Sequence, residues 1–342
     1  MKVLIRVDAS RALGTGHVMR ELALADVLRS RGAAVSFACR TLDGRAADLI
    51  SPAGFSLCEL ASADDEAADF AATARASRGN YDCIIVDDYR LGASWEREAR
   101  KLARHIVVVD DIADRDHDCD LLIDQNLYED RARRYLTRIA PACARLLGPH
   151  YAMLRPEFEK TRATTRVRTG EVRRLHVSFG GTDPTGQTLI ALEAIAHVQG
   201  PQWTTDVVIG PGNPDCQQIE AAAQRLMGAT CHVAPPNIAH LMSRADVALG
   251  SGGVSTNERM CVGLPAVVVA TSALQEQSAR DVALAGAHKY LGGFGALTFA
   301  DYADALRELA AAPAVVRAMS AAGMRLVDGR GCERVAEAIA TL

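Results

Sequence analysis

No stretch of this 342-residue chain combines the length and apolarity of a membrane-spanning helix. A basic surplus is also missing. Lys and Arg total 38 against 42 Asp and Glu, so the formal net charge of -4 offers no footprint for nucleic acid or an anionic membrane. The nine cysteines contain no Cys-x-x-Cys pair and no metal-ligand spacing, which excludes a disulfide framework and a zinc site and points to reduced thiols in a cytoplasmic protein. Only three apolar residues precede the charge of Arg6, too few for the apolar region of a signal peptide. Two catalytic signatures are lacking as well: there is no Gly-x-Ser-x-Gly elbow and no Gly-x-x-x-x-Gly-Lys-Ser/Thr phosphate loop. What remains is a cytoplasmic protein, expected to be a monomer, that works on a small molecule without metal or cofactor.

What is present is a long alternation of short apolar runs with helical patterns. Strands are expected at 3–7, 34–39, 55–60, 81–87, 105–110 and 121–124, with helices at 18–28, 45–51, 66–77 and 95–102 between them. Residues 161–174 are polar and basic without apolar periodicity, and read as a linker with a solvated basic face. The alternation then restarts, with strands at 175–179, 206–209, 230–233, 246–249 and 266–269. Helices are expected at 185–197, 215–227, 238–244, 254–262, 276–285, 302–311, 315–326 and 332–340. The pattern predicts two doubly wound, Rossmann-like α/β domains facing a cleft, 1–160 and 175–342, joined by 161–174. The last helices are open to packing back on the first domain.

Ligands in such sheets bind beyond the carboxyl ends of the strands. Four loops there concentrate unusual residues. Gly14-Thr15-Gly16 opens a helix whose first turn carries His17, so an anion on free amides would lie beside a titratable imidazole, which a helix N-terminus favours in its neutral form. Asp87-Asp88-Tyr89-Arg90 ends an apolar strand and suits either polar substrate groups or a helix cap. Gly180-Gly181-Thr182-Asp183 suits either a phosphate cradle or a capped turn with Pro184 at the first helical position. The richest is Gly250-Ser251-Gly252-Gly253-Val254-Ser255-Thr256-Asn257-Glu258, where a diphosphate can lie on amides and hydroxyls and Glu258 can accept from ribose hydroxyls. Glu258 is equally placed to close a capping box with Ser255, and Asn257 is expected to point toward the cleft.

The remaining candidates read as structural. His105 and His176 begin strands and His232 lies within one. The acidic run Asp110, Asp111, Asp114, Asp116, Asp118 and Asp120 around His117 matches no metal-binding pattern and reads as a surface loop.

Together, the stretch from Asp8 to Arg20, Gly148-Pro-His-Tyr-Ala-Met-Leu-Arg155-Pro-Glu-Phe158, Phe179-Gly-Gly-Thr-Asp-Pro184 and the 250–258 motif resemble one family over nearly the whole chain. It is the UDP-2,4-diacetamido-2,4,6-trideoxy-β-L-altropyranose hydrolase family of pseudaminic acid biosynthesis. The resemblance implies a GT-B-type fold, like peptidoglycan glycosyltransferases that use UDP-N-acetylglucosamine, with UDP held mainly by the C-terminal domain. It also implies a catalytic base at His17, substrate-site roles for Tyr89 and Asn257, and a ribose-binding acid at Glu258. Arg155 is matched by motif without an assigned role. The expected reaction is release of UDP by water attacking the anomeric carbon with inversion. A glycosyltransferase of the same fold and a non-catalytic nucleotide-sugar sensor are the alternatives.

Overall fold

The computed structural model describes the chain except for residues 11–13, 43–45, 64, 78 and 199–202. It divides into two compact units, Met1–Arg155 with Arg330–Leu342, and Pro156–Gly329. Among the described residues no helix is long and apolar enough to cross a membrane.

The first unit runs β1 (Lys2–Val7), α1 (Gly16–Ser30), β2 (Ala34–Arg40), α2 (Ala47–Ile50), β3 (Ser56–Leu60), α3 (Glu66–Ser77), β4 (Tyr81–Asp87), α4 (Ala93–Ala99), β5 (Ala103–Val109), β6 (Leu121–Asp124), α5 (Arg131–Arg134) and β7 (Ala144–Leu147). Its seven strands pair in the order β3-β2-β1-β4-β5-β6-β7, every pairing being parallel. A parallel sheet is covered on both faces, which is why β1 and β4 read as continuous apolar runs. Ile5, Val7, Ile85 and Val107 pack on one face and Leu4, Ile84, Val86 and Val108 on the other.

The second unit runs α6 (Pro156–Thr164), β8 (Arg174–Ser178), α7 (Gln187–His197), β9 (Thr204–Ile209), α8 (Cys216–Gln224), β10 (Ala229–Val233), α9 (Ile238–Arg244), β11 (Val247–Ser251), α10 (Ser255–Cys261), β12 (Ala266–Ala270), α11 (Ala273–Leu284), β13 (Lys289–Gly293), α12 (Phe299–Ala311) and α13 (Pro313–Leu326). Its parallel sheet has the order β10-β9-β8-β11-β12-β13. The chain then returns to the first unit as α14 (Gly331–Ala340), whose Val335, Ala336 and Ile339 join the core beneath α1.

Several expectations change. The linker expected at 161–174 opens inside α6, and the second unit begins at Pro156. Its basic face is not simply solvated. Arg168, 3% exposed, donates to the carbonyls of Met242, Ala245 and Val262, and Arg162 to those of Cys261, Met324 and Val327. Helix C-termini leave carbonyls without partners, and these arginines supply them at the ends of α9, α10 and α13. The expected helix at 45–51 is seen from Ala47 to Ile50, residue 45 lying outside the described residues. Strands β7 and β13 were not expected.

Candidate active site

In each sheet the chain order reverses between two neighbouring strands, β1 and β4 in the first unit and β8 and β11 in the second. Such reversals splay the following loops apart and open a crevice at the strands' carboxyl ends. The four loops singled out from sequence leave these four strands.

In the first unit, β1 runs to Val7, paired with Asp87 of β4. The following Asp8 is buried and tied to Arg6 at 2.8 Å and to Arg40 at 2.7 Å. Burial would raise its carboxyl, but Arg6 outweighs this and holds it well below the usual carboxylate range. Asp8 thereby anchors the chain as it leaves the strand. Of the 8–20 stretch, residues 11–13 lie outside the described residues. Gly14 takes a left-handed φ of +74° and donates its N–H to Ser10 O at 2.8 Å. Thr15 precedes α1 without a side-chain cap, and Gly16 and His17 are the helix's first two residues.

His17 Nδ1 lies 2.6 Å from Asp87 Oδ1. Arg20, one turn further along α1, grips the same carboxylate through Nε to Oδ2 at 2.7 Å and Nη2 to Oδ1 at 2.6 Å. Burial would raise the Asp87 carboxyl, but the charges of Arg20 and then His17 outweigh it and hold the group well below the usual range. An ionised carboxylate only accepts, so His17 donates its Nδ1–H to Asp87 and Nε2 is left as the acceptor nitrogen. Arg20 Nη2, 3.1 Å from the same Nδ1, therefore makes a close approach there and not a hydrogen bond.

The imidazole is also flanked by Tyr89, edge-on with centroids 4.8 Å apart. The Tyr89 hydroxyl donates to Asp111 Oδ2 at 2.9 Å, and Arg20 Nη1 and Asn126 Nδ2 reach the same carboxylate at 2.8 and 2.9 Å. Glu21, in the next position of α1 after Arg20, is fully buried; desolvation, then the negative charge of Asp87, push its carboxyl well above the usual range. His17 and Tyr89, separate in sequence, thus share one polar cluster. Arg155 ends the first unit, half-buried, directly before α6. From sequence, Asp87 suits either a substrate group or a helix cap, Asp111 reads as part of a surface loop, Arg20 only closes the opening stretch, and Asn126 is not singled out. The available signals were a cation on the buried side of α1 and acids closing apolar strands.

The acidic run after β5 is only partly a surface loop. Asp110 and His117 are buried, and His117 Nδ1 lies 2.7 Å from Glu96 of α4. Burial would lower the imidazole, but Asp110, 3.6 Å from Nε2, and the hydrogen-bonded Glu96 outweigh it and push it up to about 9. The group is an internal ion cluster bracing α4, and among the described residues no set of His, Cys, Asp and Glu can hold a metal ion.

In the second unit, the loop after β8 places Gly180 at φ +93° and packs Gly181 directly against Gly210, where a Cβ would lie 2.1 Å from the Gly181 carbonyl oxygen. Asp183 receives the amides of Gln187 and Thr188 at 3.0 and 2.8 Å, so α7 begins at Gln187 and its exposed amides are taken by the protein's own carboxylate. A phosphate here is left with the turn of Gly180, Gly181 and Thr182.

The loop after β11 differs. Gly250 is pinned, since a Cβ would lie 2.7 Å from Ser178 O and 2.8 Å from Arg259 Nη1. Ser251, Thr256 and Asn257 are buried, Asn257 at 4% exposed, and Gly252, Gly253, Ser255 and Glu258 are half-buried. Helix α10 starts at Ser255 with Val254 as its cap, without a side-chain cap bond. Ser255 is thus the first helical residue and not the N-cap that a Ser255–Glu258 capping box would require.

No family model matches the chain. It is 24% identical over 260 residues to the UDP-2,4-diacetamido-2,4,6-trideoxy-β-L-altropyranose hydrolase of Campylobacter jejuni, covering 76% of this chain and 88% of that protein. It is also 23% identical over 283 residues to an uncharacterized protein of Methanocaldococcus jannaschii, covering 81% of this chain. The spore coat polysaccharide biosynthesis protein SpsG of Bacillus subtilis is 25% identical over 55% of this chain. The alignments span 57% and 56% of those two relatives. Among solved structures, MurG of Acinetobacter baumannii superposes with a TM-score of 0.70 at 14% identity, covering 100% of this chain and 99% of that one. The S. aureus MnaA structure with UDP gives 0.66 at 13% identity, covering 100% of this chain and 96% of that one. The fold is accordingly the two-unit α/β fold of the GT-B type.

Proposed function

We propose that the chain is a distant member of the family that includes the C. jejuni UDP-2,4-diacetamido-2,4,6-trideoxy-β-L-altropyranose hydrolase, that it is an enzyme acting on a UDP-sugar, and that it hydrolyses one; the likeness to that hydrolase and to SpsG supports this. The observation that carries this reading is the hydrogen-bonded pair of half-buried His17 and buried Asp87 at the switch point of the first sheet, which fixes the tautomer of the imidazole.

The proposed reaction is a single displacement. Nε2 of His17 takes a proton from water as the water oxygen bonds to the anomeric carbon and the bond from that carbon to the UDP oxygen breaks. Because Nδ1–H stays on Asp87, the imidazolium that forms is paired with a carboxylate already stabilised by Arg20. A positioned base of this kind contributes about 10²- to 10⁴-fold in rate. Tyr89 fixes one face of the ring and belongs to the sugar's surroundings. UDP is a good leaving group, so amides and hydroxyls suffice where glycosidases need a second carboxylate. Those groups belong to the second unit: Gly180, Gly181 and Thr182 after β8, with Ser251, Gly252, Gly253 and Ser255 after β11. Glu258, in the first turn of α10, takes the ribose hydroxyls, and Asn257 supports the same loop. The substrate we assign is the relative's, UDP-2,4-diacetamido-2,4,6-trideoxy-β-L-altropyranose, and direct attack inverts the anomeric centre.

Incubation with UDP-diacetamido sugars in ¹⁸O water tests this. Label is expected in the sugar with an equal amount of free UDP. Label in UDP means attack at phosphorus and overturns the proposal, and bound but uncleaved UDP-sugar marks a sensor. Replacing His17 with Asn is expected to abolish most turnover and spare UDP binding.

A further inference from the structure

Arg259 is 2% exposed on α10, and its hydrogen-bond partners are neutral: Ser251 O at 2.7 Å, Ser255 Oγ at 3.1 Å and Thr256 Oγ1 at 3.1 Å. The two other arginines that meet α10 show why this is unusual. Arg162 and Arg168 lie on the carbonyls of Cys261 and Val262 at its C-terminal end, where the helix dipole welcomes a cation. Arg259 turns the other way, toward the first turn, where it meets one carbonyl and two hydroxyls and bonds to no carboxylate. Burial lowers its guanidinium to about 10, which leaves it charged at neutral pH, while Glu258 opposes that shift in part. Its buried neighbours are held neutral: His176 is lowered to about 4 and His288 to about 3, in each case by burial first and the charge of Arg259 after it.

A buried cation bonded only to neutral groups is costly unless an anion completes the arrangement. We infer that Arg259 is a positioning residue for the phosphate groups of the ligand, acting through Ser255. Its Nη1 donates to Ser255 Oγ, so that hydroxyl's own hydrogen is available to a phosphate oxygen, and the donation polarises it. The bare Cα of Gly250 permits the guanidinium to come this close beneath the loop, since a Cβ there would meet Nη1 at 2.8 Å. The loop that carries Gly252 and Gly253 is thereby an anion site powered from below by a charge that never touches the ligand. This rests on reading the second unit as the one that binds UDP.

The test is calorimetric titration with UDP, uridine and inorganic pyrophosphate. Replacing Arg259 with Gln is expected to weaken UDP and pyrophosphate about 10- to 100-fold and to leave uridine unchanged, and Arg259→Lys to recover part of the loss. Ser255→Ala, a milder change, is expected to weaken UDP and pyrophosphate, and to add little in the Arg259→Gln background. Equal losses for uridine and UDP, or unchanged UDP affinity in Ser255→Ala, overturn the inference. If the unaltered protein binds pyrophosphate with these dependences but neither UDP nor uridine, the nucleotide reading falls and Arg259 keeps its role. If it binds none of the three, both fall.

Discussion

The carboxylate of Asp87 is shared between His17 and Arg20: Oδ1 lies 2.6 Å from His17 Nδ1 and 2.6 Å from Arg20 Nη2, and Oδ2 lies 2.7 Å from Arg20 Nε. One ionised acid therefore fixes the tautomer of the imidazole and is itself fixed by a cation on the same helix.

Replacing Asp87 with Asn keeps the volume and removes the charge. The developing imidazolium loses its counter-ion, and kcat for UDP release is expected to fall about 10²- to 10⁴-fold with KM little altered. Steady-state kinetics decide it. A fall of less than threefold removes Asp87 from the mechanism.

Arg20→Met strips the cation from two carboxylates at once, since Arg20 also binds Asp111 at 2.8 Å. Breaking a buried ion pair by removing one partner costs about 3–5 kcal/mol, which a urea unfolding midpoint will register. Adding Asp87→Asn to this variant is expected to recover part of the loss, because one unpaired charge then disappears. A double variant no more stable than Arg20→Met means that Asp87 is not the unpaired charge.

His117 makes stability depend on alkaline pH. Its imidazole is raised to about 9 in the folded chain, so the stability it contributes is fully present below the unfolded value near 6.5 and is lost as pH rises through 9. That difference corresponds to about 3 kcal/mol. Buried Cys39 and Cys261, both pushed up to about 12, steepen the loss above pH 9 in the same sense. Comparing unfolding free energies of the unaltered chain and His117→Gln between pH 6 and 10 isolates the histidine: the curves should converge as pH rises, and parallel curves refute the assignment.

Gly250→Ala places a Cβ 2.7 Å from the backbone of Ser178 on the neighbouring strand. Backbone cannot swing away as a side-chain tip can, so a cost of about 1–3 kcal/mol is expected, together with weaker UDP binding. A variant with unchanged melting temperature and unchanged UDP affinity shows that this loop tolerates movement.

Much of the fold is written locally. Apolar runs such as 81–87 and helix patterns such as 66–77 coincide with β4 and α3, because buried parallel strands and amphipathic helices each leave a periodic trace. Strands β7 and β13 leave none. The first is an edge strand with two exposed residues, and the second carries Lys289, Gly292 and Gly293 with a register shift against β12. The site was legible in its loops and illegible in its pairs. His17 and the Gly-rich turns stand out by residue type, whereas Asp87 meets Arg20 across 67 positions, a separation that no local pattern encodes. Arg259 was hidden for another reason: in sequence it is one more polar residue after a motif, and only its burial shows that its charge lacks an ionic partner among the groups it bonds.

Helix α14 sets an order of assembly. Residues 156–329 form one uninterrupted unit, while the first unit draws on Arg330–Leu342 to finish its core. Gly331 sits so close to Ala152 that a Cβ would lie 2.1 Å from its carbonyl oxygen, and Val335 and Ala336 are wholly buried beneath the helix that bears His17 and Arg20. The part of the molecule made first is thus the last to mature. A chain that lacks α14 leaves α1 without its backing, so α14 must be made before the His17–Asp87 pair is held in place.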